Sequence, residues 1–218
     1  MSGQAALEPV LRAAPVIPVV TIDNAARAVP LARALVQGGL PVIEITLRTP
    51  AGLGAIRAIA AEVPEAIPGA GTVLTLQQMD DVARAGARFI VSPGVTARML
   101  DAAAEREVGF LPGIATASEA MMLIERGLRF AKFFPAEPAG GAEYLAALAS
   151  PLPQLRFCPT GGITPDSAPR YLRLPNVVCV GGSWMVKRKS IEAGEWSAIR
   201  EGAAQAAALD AHRRRDEE

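Results

Sequence analysis

The sequence is poor in several residue types, and each scarcity removes a class of function. Its 218 residues include one histidine, His212, so a zinc site built from several imidazoles and a catalytic histidine in the core are both excluded. Aromatic residues make up 5% of the chain, which disfavours a base-stacking surface for nucleic acid. The formal net charge is zero, so no basic field is available to attract nucleic acid either.

Long apolar runs and a secretion signal are also missing. No run approaches the roughly 20 apolar residues that cross a bilayer. The chain starts with MSGQ and lacks the basic and apolar regions of a signal peptide, so we expect a cytoplasmic protein with no membrane partner. The two cysteines, Cys158 and Cys179, lie in apolar surroundings and are expected to be reduced core residues.

The chain alternates short apolar runs with alanine-rich segments. Strands are predicted at 16–20, 41–46, 67–71, 89–91, 109–111, 130–133, 155–158 and 177–180. The helices that follow them are predicted at 24–37, 51–62, 76–85, 97–105, 118–126, 141–149, 165–171 and 191–211, with an extra helix near 4–12.

Eight strand–helix units predict an α/β fold, a (β/α)8 TIM barrel with a parallel sheet. One domain is expected over residues 1–218, with a helical extension at 1–14 and a charged tail at 212–218. The rival fold is an open doubly wound sheet, which normally carries a glycine-rich turn after its first strand. Residues 21–24 follow the first strand here and contain no glycine.

Lys132 is one of only three lysines, against nineteen arginines, and it lies in the segment RFAKFFP at 129–135. Three phenylalanines surround it in sequence, so loss of hydration should lower its pKa from about 10.4. An amine that is partly neutral can form a Schiff base with a carbonyl substrate. The alternative is a lysine whose stem packs on the phenylalanines while its ammonium reaches water.

Polar residues cluster at the predicted carboxyl ends of the strands, where barrels of this class place their active sites. Strand alternation sets Glu44 on the opposite face from Ile43 and Ile45, so it points inward and can pair with Lys132. The pair is either a structural ion pair or an amine beside its general acid/base. Arg48 can clamp a carboxylate or form a surface salt bridge, and Thr72 can donate a hydrogen bond or simply form a turn.

Two glycine pairs follow the seventh and eighth predicted strands, Gly161-Gly162 and Gly181-Gly182-Ser183. These loops frequently bind phosphate in such barrels through backbone N–H groups, although glycine pairs also form tight turns. An amine nucleophile, a carboxylate, an arginine and a phosphate site together favour a lysine-dependent aldolase that acts on a phosphorylated 2-keto acid.

Five segments carry a resemblance to a known family. They are EITLRT at 44–49, GAGTV at 69–73, KFFPA at 132–136, RFCPTGGI at 156–163 and GGSW at 181–184. From about residue 15 to the last helix, the chain resembles the 2-dehydro-3-deoxy-phosphogluconate aldolases, which are often bifunctional with 4-hydroxy-2-oxoglutarate aldolase. One departure is Ala115, where relatives are expected to carry serine.

The resemblance implies a homotrimer of (β/α)8 barrels in the Entner–Doudoroff pathway. It implies cleavage of the phosphorylated sugar acid to pyruvate and glyceraldehyde 3-phosphate, without a metal or other cofactor. By the same resemblance, Lys132 forms the Schiff base and Glu44 is the acid/base. The implied substrate-binding residues are Arg48, Thr72 and Pro93 around the pyruvyl part, and Gly161, Gly162, Gly182 and Ser183 around the phosphate. Thr160 and Gly181, beside them in sequence, are also expected to bind substrate.

Three other functions compete with this interpretation. In a lysine-independent isomerase or synthase, Lys132 would act only through its charge. A metal-dependent lyase needs more ligand carboxylates than the strand ends offer. A non-catalytic binding barrel would keep the pocket without turnover, although Lys132, Glu44 and Arg48 are all present.

Overall fold

The computed structural model describes residues 3–209. The strands are Val16–Val20 (β1), Val42–Thr46 (β2), Ile67–Gly71 (β3), Phe89–Val91 (β4), Gly109–Leu111 (β5), Gly113–Ile114 (β6), Phe130–Phe133 (β7), Arg156–Pro159 (β8) and Val180–Gly182 (β9). The α-helices are Gly3–Arg12 (α1), Ala28–Gln37 (α2), Ala51–Glu62 (α3), Leu76–Arg84 (α4), Ala97–Ala104 (α5), Ala117–Glu125 (α6), Gly141–Ala149 (α7), Ala168–Leu172 (α8), Arg188–Ala193 (α9) and Trp196–Ala207 (α10). A 3₁₀ turn at Ala25–Arg27 precedes α2. None of these described helices is long and apolar enough to cross a membrane.

Every strand pairing is parallel, as expected when a helix connects consecutive strands. Six strands form one sheet in the order β5-β4-β3-β2-β1-β9, and three form another in the order β6-β7-β8. Only Pro112 separates β5 from β6, and an isolated bridge joins Thr160 to Gly181. The predicted α/β class with a parallel sheet is confirmed, and the sheet is strongly curled.

Alternation along the strands separates two apolar clusters. One contains Ile43, Ile45 and the buried faces of α2 and α3, and it fills the space between the sheet and its helices. The other contains Val42 and Phe130 from the opposite face of the strands, together with Leu7 and Leu11 of α1. The predicted N-terminal helix therefore exists, and it covers one end of the inner face of the curled sheet.

Threonine caps begin three of the helices that follow strands. The side chains of Thr75 and Thr96 accept hydrogen bonds from backbone N–H groups in the first turns of α4 and α5. Thr116 forms a reciprocal capping box with Glu119 at the start of α6. These caps fix the short loops that leave the carboxyl ends of the strands.

The prediction and the structure differ clearly in three places. The helix predicted at 191–211 is two helices, because Gly194 adopts a left-handed conformation (φ 72°) and ends α9. The predicted end at 211, the tail at 212–218 and His212 lie outside the described residues. The predicted strand at 177–180 enters the ladder beside β1 only at Val180, because Val177 bridges to Phe157 of β8. The short strand β6 was not predicted.

Candidate active site

Lys132 and Glu44 form a buried ion pair on the inner face of the curled sheet. Lys132 Nζ lies 3.2 Å from Glu44 Oε1, and each residue is 3% exposed. Side-chain alternation along β2 and β7 places them there, since Val42 and Phe130, two residues earlier on each strand, share the inner face. Removal of either charge would leave the other buried without compensation, which is costly.

Phe134 and Gly71 shape the space around the pair. The Phe134 ring centroid lies 5.3 Å from Lys132 Nζ, close enough for a cation–π contact. A Cβ atom at residue 71 would lie 2.2 Å from Glu44 Oε1, so only glycine leaves room for this carboxylate. Phe133 does not face the lysine: it packs in the outer apolar layer, stacked on Tyr144 with 5.6 Å between ring centroids.

Arg48 and Thr72 contact each other at the ends of β2 and β3. Arg48 Nε donates a hydrogen bond to Thr72 Oγ1 over 3.1 Å. Thr72 has a φ of 58°, a left-handed conformation that is unusual for a β-branched residue and costs on the order of 1–3 kcal/mol. Such strain persists where the surroundings enforce it, frequently at functional sites, and here it holds the hydroxyl beside the guanidinium.

A cavity of about 560 Å³ opens at the carboxyl ends of the strands. Seven of the predicted site residues line it: Arg48, Thr160, Gly161, Gly162, Gly181, Gly182 and Ser183. Phe134 also lines it, and its ring lies over Lys132, so the ion pair is beneath one wall of the cavity. The volume is within the range of small-molecule sites.

The first glycine pair is held in place by the turn that follows β7. Gly161 and Gly162 have φ values of 105° and 81°, which side chains rarely adopt. The carbonyl of Gly161 accepts a hydrogen bond from the Glu137 N–H over 3.0 Å. A Cβ at residue 162 would lie 2.9 Å from Glu137 Cβ, so this loop packs closely on Glu137.

Glu137 is fixed in turn by Tyr171, a fully buried residue of α8. The Tyr171 hydroxyl donates to Glu137 Oε1 over 2.8 Å. Burial, together with this bond to a carboxylate, raises the pKa of Tyr171 above its ordinary value. The neutral phenol is therefore the stable form, and it supports the glycine loop from behind.

The cavity lining does not include the predicted site residues Lys132, Glu44, Thr72 and Pro93, nor Ala115. Pro93 follows β4, and its backbone packs so tightly on Gly113 that a Cβ there would lie 2.4 Å from the Pro93 carbonyl carbon. Gly113 is the register partner of Lys132, so Pro93 adjoins the neighbouring strand. Ala115 is half-buried, and its N–H donates to Glu119 Oε2 over 2.9 Å.

Comparison with known proteins matches this arrangement to a family. The model for aldolases described as KDPG and KHG aldolase matches residues 7–201. The chain belongs to this family. The KHG/KDPG aldolase of Escherichia coli K12 is 52% identical over 192 residues, which cover 88% of this chain and 90% of that protein.

Solved structures of KDPG aldolases have the same fold. A KDPG aldolase from Legionella pneumophila, with pyruvate captured at low pH as a covalent carbinolamine intermediate, matches with a TM-score of 0.89 and 45% identity, over 91% of this chain and 96% of that one. The enzyme of Zymomonas mobilis ZM4 with 3-phosphoglycerate matches with a TM-score of 0.89 and 46% identity, over 94% and 97%.

Sequence reasoning missed seven of the residues that line the cavity. They are Val19, Thr21, Phe134, Ile163, Val186, Lys187 and Arg188. Lys187 ends the loop that contains Ser183, and Arg188 begins α9, so the preference of such barrels for a phosphate site after the last strand extends to both residues. In sequence, the run of Lys187, Arg188 and Lys189 is equally typical of a solvated surface.

Proposed function

We propose that the protein is a class I aldolase that cleaves 2-dehydro-3-deoxy-6-phosphogluconate to pyruvate and glyceraldehyde 3-phosphate. The observation that carries the proposal is the buried pair of Lys132 Nζ and Glu44 Oε1, 3.2 Å apart beneath a cavity that Arg48 and two glycine loops line. Membership of the KDPG and KHG aldolase family supports the same reaction.

Lys132 is the proposed nucleophile. Its amine, after giving a proton to Glu44, attacks the keto carbon at the second position and forms a carbinolamine. Glu44 returns that proton to the carbinolamine hydroxyl, which leaves as water. The protonated imine that remains draws electrons from the bond between the third and fourth carbons. That bond breaks, the fourth carbon leaves as an aldehyde, and the three-carbon fragment remains on the lysine as an enamine.

Glu44 is the proposed acid/base for each proton transfer. Its carboxylate accepts the proton of the fourth-carbon hydroxyl as the carbon–carbon bond breaks, and then returns a proton to the enamine carbon. Water hydrolyses the resulting imine and releases pyruvate. Since the carboxylate already lies within hydrogen-bonding distance of the amine, one group can serve both the nucleophile and the substrate.

Arg48 and Thr72 are proposed to bind the carboxylate of the keto acid, with Pro93 closing that side. The guanidinium keeps hydrogen-bond donors beyond the one that reaches Thr72 Oγ1. The proposed phosphate site consists of Thr160, Gly161, Gly162, Gly181, Gly182 and Ser183, which lie together along the cavity.

A second proposed substrate is 4-hydroxy-2-oxoglutarate, which would give pyruvate and glyoxylate. The family description names this activity beside the first. Both substrates share a 2-keto acid with a hydroxyl at the fourth carbon, so the same lysine chemistry applies to each. They differ in the far end, which carries a carboxylate in one and a phosphate in the other.

The proposal includes the assembly in which the reaction takes place. We propose that residues 1–218 form one closed (β/α)8 barrel; the isolated bridges Phe157–Val177 and Thr160–Gly181 support closure between β8 and the last strand. A cytoplasmic homotrimer that binds no nucleic acid or membrane is proposed from the family resemblance and composition. Sedimentation of the purified protein would test the trimer.

A coupled assay tests the proposed reaction. Pyruvate release from the phosphorylated sugar acid would be followed with lactate dehydrogenase, in enzyme dialysed against a chelator. We expect turnover that survives the chelator and is lost in Lys132→Arg, because a guanidinium stays charged and forms no imine. No pyruvate release by the wild type, or full activity of Lys132→Arg, would refute the proposal.

A further inference from the structure

Lys187 and Arg188 bring two cationic side chains to the cavity. Both residues line it, next to the glycine pair that ends at Gly182, and both are exposed. Arg48 lines the same cavity, on the side of β2. The cavity thus has one cation from the end of β2 and two more where the last loop meets α9.

Asp23 fixes the direction of Arg188. Arg188 Nε donates to Asp23 Oδ2 over 2.8 Å, and Arg188 Nη2 donates to Asp23 Oδ1 in the same fork. These bonds lower the pKa of the Asp23 carboxyl, so it remains ionised at neutral pH. Since a guanidinium carries five N–H donors and the fork uses two, three donors remain for a ligand in the cavity.

The charges around this loop favour an anion. Lys187, Arg188 and Lys189 are consecutive, and Arg27 borders a smaller adjoining pocket. Asp23 and Glu192 border that same smaller pocket and supply the opposing charges. Neither carboxylate lines the main cavity, whereas Lys187 and Arg188 do. The wall of the main cavity formed by Lys187 and Arg188 is therefore positively charged.

We propose that Lys187 and Arg188 are specificity residues that bind the phosphate end of the substrate and set the preference for a dianion over an uncharged end. They add to the backbone N–H groups of the glycine loops, which can donate hydrogen bonds to any anion. Arg188 offers a fixed donor face to the phosphate oxygens, and Lys187 adds a mobile point charge. The inference rests on the proposed function for the substrate, but not on the Schiff-base step.

An isolated surface ion pair would explain the contact between Arg188 and Asp23 equally well. Such a pair would have no effect on substrate choice. Arg188 and Lys187 both line the cavity, whereas Lys189 does not, and this placement distinguishes a binding role.

The test compares Lys187→Ala, Arg188→Ala and their double variant with Lys189→Ala. Lys189→Ala is the matched control, because it removes the same charge from the same segment but from a residue that does not line the cavity. For each, kcat/KM is measured with the phosphorylated sugar acid and with its unphosphorylated analogue. We expect the ratio of the two to fall about fivefold in each single variant and about tenfold or more in the double, and to stay unchanged in Lys189→Ala.

An unchanged ratio in the double variant, or the same fall in Lys189→Ala, would overturn the inference. A second arm needs no turnover: binding of 3-phosphoglycerate and of glycerate is measured by calorimetry. We expect the wild type to prefer 3-phosphoglycerate and the double variant to lose most of that preference; equal preference in both proteins overturns the inference. If the wild type cleaves neither sugar acid, the proposed function fails and this binding arm still decides the role of Lys187 and Arg188.

Discussion

Lys132 on β7 and Glu44 on β2 are 88 residues apart in the chain, yet their charged groups lie 3.2 Å apart with 3% of each residue exposed. In Glu44→Gln the amine keeps a hydrogen-bonding partner but loses its proton acceptor. We expect kcat to fall by about 10²–10⁴-fold, the usual contribution of a positioned acid/base. Steady-state pyruvate release measures it, and circular dichroism checks the fold. A kcat within threefold of wild type would show that Glu44 transfers no proton.

Gly71 leaves the space that Glu44 occupies. In Gly71→Ala the new Cβ would lie 2.2 Å from Glu44 Oε1, so the carboxylate must move away from Lys132. We expect kcat to fall at least tenfold, since small displacements of catalytic groups are costly. Gly94→Ala is the control, because a Cβ there meets nothing within 4 Å. Equal activity of the two variants would contradict the account.

Arg48 is expected to act through its fork of donors as well as its charge. Arg48→Lys keeps the charge but loses the planar geometry and the bond to Thr72. We expect kcat/KM to fall roughly tenfold or more, equivalent to about 1.4 kcal/mol or more. Arg57→Lys, at an exposed position on α3, is the matched control. If both variants match wild type, Arg48 does not bind the substrate carboxylate.

Tyr171 makes stability depend on alkaline pH. Its folded pKa lies above the unfolded value of about 10. The folded state therefore holds a proton that the unfolded state loses, and the free energy of unfolding should decrease as pH rises beyond 10. Tyr171→Phe should be less stable at pH 8 by about 1–3 kcal/mol, because Glu137 loses its partner. Between pH 9 and 11 its free energy of unfolding, measured with urea, should also decrease less than that of the wild type. An identical pH dependence in both proteins would contradict the raised pKa.

Much of the fold follows from local patterns in the sequence. The bounds 67–71, 130–133 and 141–149 agree with the observed elements, because short apolar runs between turn residues leave little freedom in where a strand begins. Alternation also placed Glu44 on the inner face. The same alternation predicts that the Phe133 ring lies on the opposite face from Lys132, and the structure places it there.

Other features depend on contacts between distant segments and carry little local signal. The fit between Gly71 and Glu44 requires the register of β2 with β3, which composition does not specify. The role of Arg188 depends on Asp23, 165 residues earlier in the chain. From the sequence alone, the segment around Arg188 cannot be told apart from a solvated polar surface.

Lys132 is expected to form a covalent imine with the keto acid. The protein would be incubated with pyruvate and sodium borohydride, digested, and analysed by mass spectrometry. Because the chain has only Lys132, Lys187 and Lys189, the modified peptide identifies the nucleophile. We predict a reduced pyruvate adduct on the peptide that contains Lys132, and none in Lys132→Arg. An adduct confined to Lys187 or Lys189, or no adduct in an enzyme that still cleaves its substrate, would contradict the account.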